Sequence, residues 1–465
     1  MVVAALLSPN PFLGLFGVSV AGILSYLLWR EREPQAFLFI LAFQWFQVFA
    51  VILLGVLTGR SIGEEMGGSH FEEATLLSFL GVGVLGLGMK FASRRAAVLD
   101  IERIQGLLDS LIVKKLFLAW LFLSVGLLGA DQLGYLIPGL RQAFLALDVW
   151  KWAVVVLLFM KWLDSREGRI IVVIVLAYEV FVGMLGYFSA FKEVFFILLL
   201  AGSGIVALGK QRFVLLSVIA LTLLVFAGVW QTIKGDYRIF LSQGERSQTV
   251  NVSVSDRIVW LLEAIPDVTP EKVFDGMEEG VERLSYVAFF GHAMEHVPKR
   301  APHTNGKLWK EAVMHPLMPR LLFPNKPVIN DSDRTNTYAG VIVAGVSQGT
   351  SISIGYMGES YIDFGKWGMF VPIFLWGWVL GICYFWFMRK SVNPLLGLSL
   401  SACLLLSNAL LLEKSNIKMV GGLASAFLVT AVINHFFGAR FWSFFAGAPS
   451  RIKISEASSD DGGSV

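Results

Sequence analysis

Eleven apolar stretches alternate with polar connections along the chain, and each is of a length that fills much of a bilayer core of about 30 Å, which takes about 20 helical residues. They run approximately over 11–29, 35–58, 74–92, 115–130, 141–160, 169–187, 189–208, 212–230, 367–388, 394–412 and 419–437. Stretches 169–187 and 189–208 nearly touch, so they form a tight hairpin or share one boundary. Eight stretches precede and three follow a polar segment of roughly 135 residues, from about Gln231 to Lys366. The pattern predicts an all-α polytopic membrane protein of about 11 transmembrane helices. Its parts are a bundle over 1–230, a large helical extracytoplasmic loop over 231–366 between spans 8 and 9, further spans over 367–440 and a cytoplasmic, partly disordered tail over 441–465.

Local patterns fill in the connections. Val98, Ile101, Ile104, Leu108, Leu111 and Ile112 recur at helical spacing among charged residues, predicting an amphipathic helix on the cytoplasmic surface. In the long segment, Thr269-Pro270-Glu271 supplies an N-cap with proline at the first helical position, and the pattern runs helically to about His296 before Pro298 ends it. Pro302, Asn305-Gly306, Pro316, Pro319, Pro324 and Pro327 then set a fixed irregular path rather than a sheet. The chain is rich in small residues from Gly345 to Gly358, and the tail from Ser455 has the composition of a disordered segment.

Composition agrees with the pattern. Fifty-five per cent of residues are hydrophobic, only 16% are charged and the mean hydropathy is +0.67, far from a soluble chain. Met1-Val-Val-Ala-Ala lacks the basic region of a signal peptide, so the first stretch reads as a retained span. Cys383 and Cys403 both fall inside predicted spans, away from any metal or redox motif. One set of alternate connections carries eighteen Lys and Arg and the other five. The positive-inside rule therefore puts the N-terminus outside and the C-terminus in the cytoplasm, with the long segment and its fourteen basic residues outside.

The candidate chemistry gathers in that segment. Lys234, Arg238, Arg283, Arg320 and Lys326 form a basic set suited to a pyrophosphate, since arginine's planar fork matches phosphate oxygens and lysine adds a point charge. The alternative is pairing with Asp236, Glu279, Glu282 or Asp333. Lys192 and Glu193 stand at the outer end of the seventh stretch, either snorkelling or facing a cavity. Asp148 and Lys151 share a helical face, which predicts internal pairing. His292-Ala-Met-Glu-His296 matches H-x-x-E-H formally, but no further carboxylate ligand is marked, so the histidines read as general bases rather than zinc ligands. On a continuous helix His292 points away from Arg283, and the two serve one site only if Gly291 bends the helix. Glu359 and Asp363, one turn apart at the mouth of the ninth stretch, are further candidate bases or a solvated first turn.

Lys234-Gly-Asp-Tyr-Arg238, Arg283, Asn305-Gly306, Pro319-Arg320 through Lys326-Pro327 and Gly358-Glu-Ser-Tyr-Ile-Asp-Phe-Gly365, set after an eight-span leader, resemble the bacterial oligosaccharide repeat-unit polymerases, the O-antigen (Wzy-type) group. The resemblance implies a metal-independent, cofactor-free lipid-linked glycosyltransferase of GT-C type in the bacterial inner membrane. Its substrate would be an undecaprenyl-pyrophosphate-linked oligosaccharide, its partners membrane lipid, a chain-length regulator and a flippase, with no nucleic acid. Arg283 and Arg320, supported by Lys326, Arg238 and Lys192, would hold the pyrophosphate, and relatives often have arginine where this chain has Lys192. His292, Glu359 and Asp363 are the catalytic candidates. A ligase using the same donor is the near alternative, and a lipid-linked sugar transporter the remote one.

Overall fold

The computed structural model describes residues 1–30, 33–93, 101–136, 141–187, 191–203, 210–244, 250–318, 322–323, 325–326, 329–345 and 350–447, except for some side chains within helices. Arg320, Val98 and the tail expected to be disordered lie outside the described residues. Within them the chain is helical, with one isolated bridge from Leu111 to Ala446 and no strand. Before the polar segment come α1 (Val2–Leu7), α2 (Pro11–Leu28), α3 (Ala36–Thr58), α4 (Ile62–Met66), α5 (His70–Ser93), α6 (Ile101–Ser110), α7 (Val113–Leu136), α8 (Arg141–Ser165), α9 (Arg169–Leu185), α10 (Lys192–Ser203) and α11 (Lys210–Leu241). In it lie α12 (Val254–Ala264), α13 (Pro270–Leu284), α14 (Val287–His296), α15 (Lys307–Met314), α16 (Asp331–Ala339) and α17 (Tyr356–Gly368). After it come α18 (Phe370–Lys390), α19 (Pro394–Ala409) and α20 (Asn416–Phe445). Each apolar stretch is a helix, and α9 and α10 are separate. Among the described residues, six helices are long and apolar enough to cross a membrane: α2, α3, α5, α11 from Ser217, α18 and α20. The chain is a helical membrane protein.

Small residues set the closest helix pair. A Cβ on Gly88 of α5 would lie 2.2 Å from the Phe374 carbonyl oxygen, and one on Gly377 of α18 would lie 2.1 Å from that of Leu85. Backbone meets backbone there, which holds helices together where water supplies no hydrophobic drive. Charge between α7, α8 and α9 is paired. Glu179 on α9 accepts from Trp120 Nε1 on α7 at 2.7 Å and meets Lys151 of α8 at 3.1 Å. The expected Asp148–Lys151 pair is present at 3.9 Å, with Glu179 the nearer partner.

The polar segment departs from expectation in three places. Helix α11 runs unbroken past residue 230, so Lys234 and Arg238 ride on the end of an apolar helix. The helix expected from Pro270 to His296 breaks at Ser285–Tyr286, where the Tyr286 hydroxyl donates to the Ser353 carbonyl, and Gly291 makes no bend. Gly291 instead admits the ring of Phe71, 2.2 Å from where its Cβ would stand. Finally, α17 does not flow into α18: Gly365, at φ 71° and ψ −174°, breaks it in a conformation that only glycine adopts readily. With α14 packed on α5, α16 and α17, and α15 on α17 and α20, the segment's helices rest directly on the spans.

Candidate functional site

The break at Gly365 makes α17 a short, buried helix that carries Glu359 into the interior, 1% exposed. This overturns the alternative of a solvated first turn. One oxygen of Glu359, Oε2, accepts from the backbone N–H of Asn416 at 2.8 Å, and the other, Oε1, lies 3.8 Å from Nη1 of Arg334 on α16. Arg334 reaches outward through Nη2 to Glu311 of α15 at 2.6 Å. Burial pushes the Glu359 carboxyl up to about 7, against the opposing pull of Arg334 and the Asn416 N–H. Beside it, fully buried Asp331 pairs with Lys418 at 2.6 Å, and Lys418 donates to the Ser351 hydroxyl at 3.0 Å.

Several polar atoms here are left over. Among the described residues no hydrogen-bond partner reaches Oε1 of Glu359, Nη1 of Arg334, Oδ1 of Asp331, the Ser415 hydroxyl or either side-chain atom of Asn416, all buried. An unmade buried hydrogen bond costs about 1–3 kcal/mol. Such a concentration at one place marks a group of residues arranged for something other than stability.

The turn between α19 and α20 joins this group to a second one. Glu413, accepting from Gln47 Nε2 at 3.3 Å, is raised above the usual carboxylate range by burial and lies within electrostatic reach of Lys192, Lys414 and Lys234. Lys234 in turn lies within reach of Arg238, Arg283 and Lys192. A cavity of about 190 Å³ opens among Lys234, Arg238, Glu279 and Arg283. The structure therefore gathers three predicted phosphate ligands, Lys192, Arg238 and Arg283, around Lys234. Arg238 lies over the Tyr187 ring at 4.8 Å and donates to its carbonyl at 3.3 Å. Arg283 makes the pairing foreseen as the alternative, with Glu279 at 2.7 Å, on a half-exposed surface.

The other predicted residues lie elsewhere. Lys326 donates to the carbonyls of His315 and Met318 and so pins its own proline-rich turn. Asp363 receives the backbone N–H groups of Leu308 and Trp309, at 3.1 and 2.9 Å, and the Thr304 hydroxyl. It thereby caps the start of α15, with both oxygens occupied. His292 stands edge-on to Phe71 at 5.1 Å, and burial holds its imidazole below the ordinary histidine value, with Glu295 and His70 the charged groups nearby. His296 packs on Gly340 instead. Sequence reasoning missed Asp331, Arg334, Asn416 and Lys418. The one available signal was the polar run Asn330-Asp-Ser-Asp-Arg334 after the prolines, in which only Asp333 had been weighed as an ion-pair partner.

No curated protein matches the chain, and no solved structure does. A family model described as a domain of unknown function (DUF8712) matches residues 107–436, which hold Lys192, Lys234, Arg283, Arg334, Glu359 and Lys418 and leave out α1 to α5. The match spans more than half of the chain and both groups of the site, and the chain belongs to the DUF8712 family.

Proposed function

We propose that this protein is a membrane glycosyltransferase that joins undecaprenyl-pyrophosphate-linked oligosaccharide repeat units into a surface polysaccharide on the outer face of the bacterial inner membrane. The observation that carries the reading is the turn at residues 413–418. On one side of it stands a buried carboxylate near 7, Glu359, with one oxygen that receives no hydrogen bond; on the other stand Lys192, Lys234, Arg238 and Arg283. A base works best with a value near the operating pH, and burial supplies this to Glu359, whereas both oxygens of Asp363 are taken up by hydrogen bonds. Glu359 takes the proton of the acceptor sugar hydroxyl. The freed oxygen attacks the anomeric carbon of the donor glycan, and the bond from that carbon to the pyrophosphate oxygen breaks. The cations stabilise the charge left on the pyrophosphate, as preorganised electrostatic catalysis requires. His292, across the break at Ser285–Tyr286 and set against α5, takes no part.

In this reading the eleven helices α2, α3, α5, α7 to α11 and α18 to α20 cross the bilayer in a GT-C type plan, with the N-terminus outside and the C-terminus in the cytoplasm. Its support is that each predicted stretch is helical and that basic residues crowd the connections assigned to the cytoplasm. A chain-length regulator and a flippase would complete the pathway. The test is turnover by purified protein in vesicles supplied with the lipid-linked oligosaccharide of the native host. Glu359→Gln lowers turnover by about two to four orders of magnitude at unchanged protein level. Wild-type turnover in that variant removes Glu359 as the base. Deletion in the host leaves single-repeat lipid intermediates; long unattached chains would mark a ligase instead.

A further inference from the structure

Helix α15 has two unlike faces. Leu308 and Ala312 are buried, while Val313, Met314 and Leu317 just after it are exposed, Leu317 by 66%. Leu322 is exposed as well, by 71%. Its place relative to the spans is set by three contacts. Asp363, shortly before α18, caps its first turn; the Phe364 ring lies 3.1 Å from where a Cβ on Gly306 would stand; and the helix packs on α20. Helix α15 thus rests on α17, which precedes α18, and on α20, and both α18 and α20 are apolar enough to cross a membrane. Phe364 and Trp367 are exposed too, on either side of the charged Lys366, and Trp367 stands just ahead of the exposed Val371 and Leu375 on α18. An apolar patch continuous with the outward surface of a span is covered by what covers the span, and a tryptophan ahead of a span is an interfacial anchor.

We propose that Val313, Met314, Leu317, Leu322, Phe364 and Trp367 form an apolar lip immersed in the lipid leaflet, with acyl chains as its occupant. The lip has a neighbour of consequence. Glu311, on the same helix, holds Arg334 at 2.6 Å, and Arg334 stands next to Glu359. Immersion therefore sets the Glu311–Arg334 pair close to the leaflet. The placement follows from exposed side chains and span contacts and does not depend on the proposed reaction.

The test is depth-resolved quenching in vesicles of phosphatidylcholine and phosphatidylglycerol, some bearing a nitroxide on the acyl chain. Single cysteines Leu317→Cys and Leu322→Cys carry an environment-sensitive fluorophore. The unsubstituted protein, whose two cysteines are buried, is the labelling blank. Ile382→Cys on α18 and Lys272→Cys on α13 are the lipid and water benchmarks. The expected result is loss of emission to nitroxide lipid to the extent seen at residue 382, with protection from aqueous iodide. Quenching by iodide alone, as at residue 272, overturns the proposal. Protection from both quenchers also overturns it and assigns the surface to a protein partner or a second copy.

Discussion

Two groups of buried charge in this protein are finished in opposite ways. Between α7, α8 and α9, Glu179 has one oxygen on Trp120 and the other on Lys151, and none of these three side chains keeps a buried polar atom without a hydrogen bond. Between α16, α17 and α20, Glu359, Arg334, Asp331 and Asn416 all keep buried atoms without hydrogen bonds. Charge is costly to bury in either place. Where pairing is complete, the group serves the bundle, linking three helices that carry few other directional contacts. Where pairing is incomplete, stability has been given up locally, the usual mark of a site that must bind or move something.

Breaking the complete group has the largest expected effect on folding. Lys151→Met strands Glu179 as a buried charge, and loss of one partner of such a pair costs about 3–5 kcal/mol. Thermal unfolding in detergent should show a large drop, with much of it recovered in Lys151→Met/Glu179→Gln. An unchanged melting temperature in the single variant would end the distinction between the two groups.

The incomplete group should respond in the other direction. The folded value of Glu359, about 7, lies above the ordinary 4.5, so folding favours the protonated form. The stability this contributes is fully present below about 4.5 and is lost as pH rises through about 7. A shift of that size corresponds to about 3 kcal/mol at 1.36 kcal/mol per unit. Glu359→Gln, neutral at every pH, should therefore melt like wild type near pH 4.5 and above it at pH 8. A variant less stable than wild type at pH 8 would show that the ionised carboxylate is a structural partner of Arg334.

The smallest effect is expected at Asp363. Asp363→Ala removes a helix cap, worth about 0.5–2 kcal/mol, and should lower the melting temperature modestly while loosening α15. Lost turnover with an unchanged melting temperature would return Asp363 to the catalytic candidates.

The residues of the candidate site were legible to unequal degrees. Arg238, Arg283 and Lys192 stood out because cations are rare beside apolar stretches, and they do meet around Lys234. Glu359 stood out by its place before a span, but its spacing to Asp363 suggested similar roles for the two. Hydrogen bonding separates them, since both are buried: the α15 amides saturate Asp363, and only one backbone N–H serves Glu359. His292 stood out because imidazole needs no burial to titrate near neutrality. That reading turned on an environment no local pattern reveals.

By itself, then, the sequence determined the helical class, the location of each apolar helix and the concentration of polar chemistry in one segment. Those are consequences of hydrophobic periodicity and composition, which act over neighbouring residues. Only the tertiary structure decided that α13 and α14 part at Ser285–Tyr286, that Gly365 turns α17 inward and that Asn416 and Lys418 from the first turn of α20 meet Glu359 and Asp331. Those contacts join residues far apart in the chain, and burial, which raises Glu359 to about 7, exists only once the helices have packed.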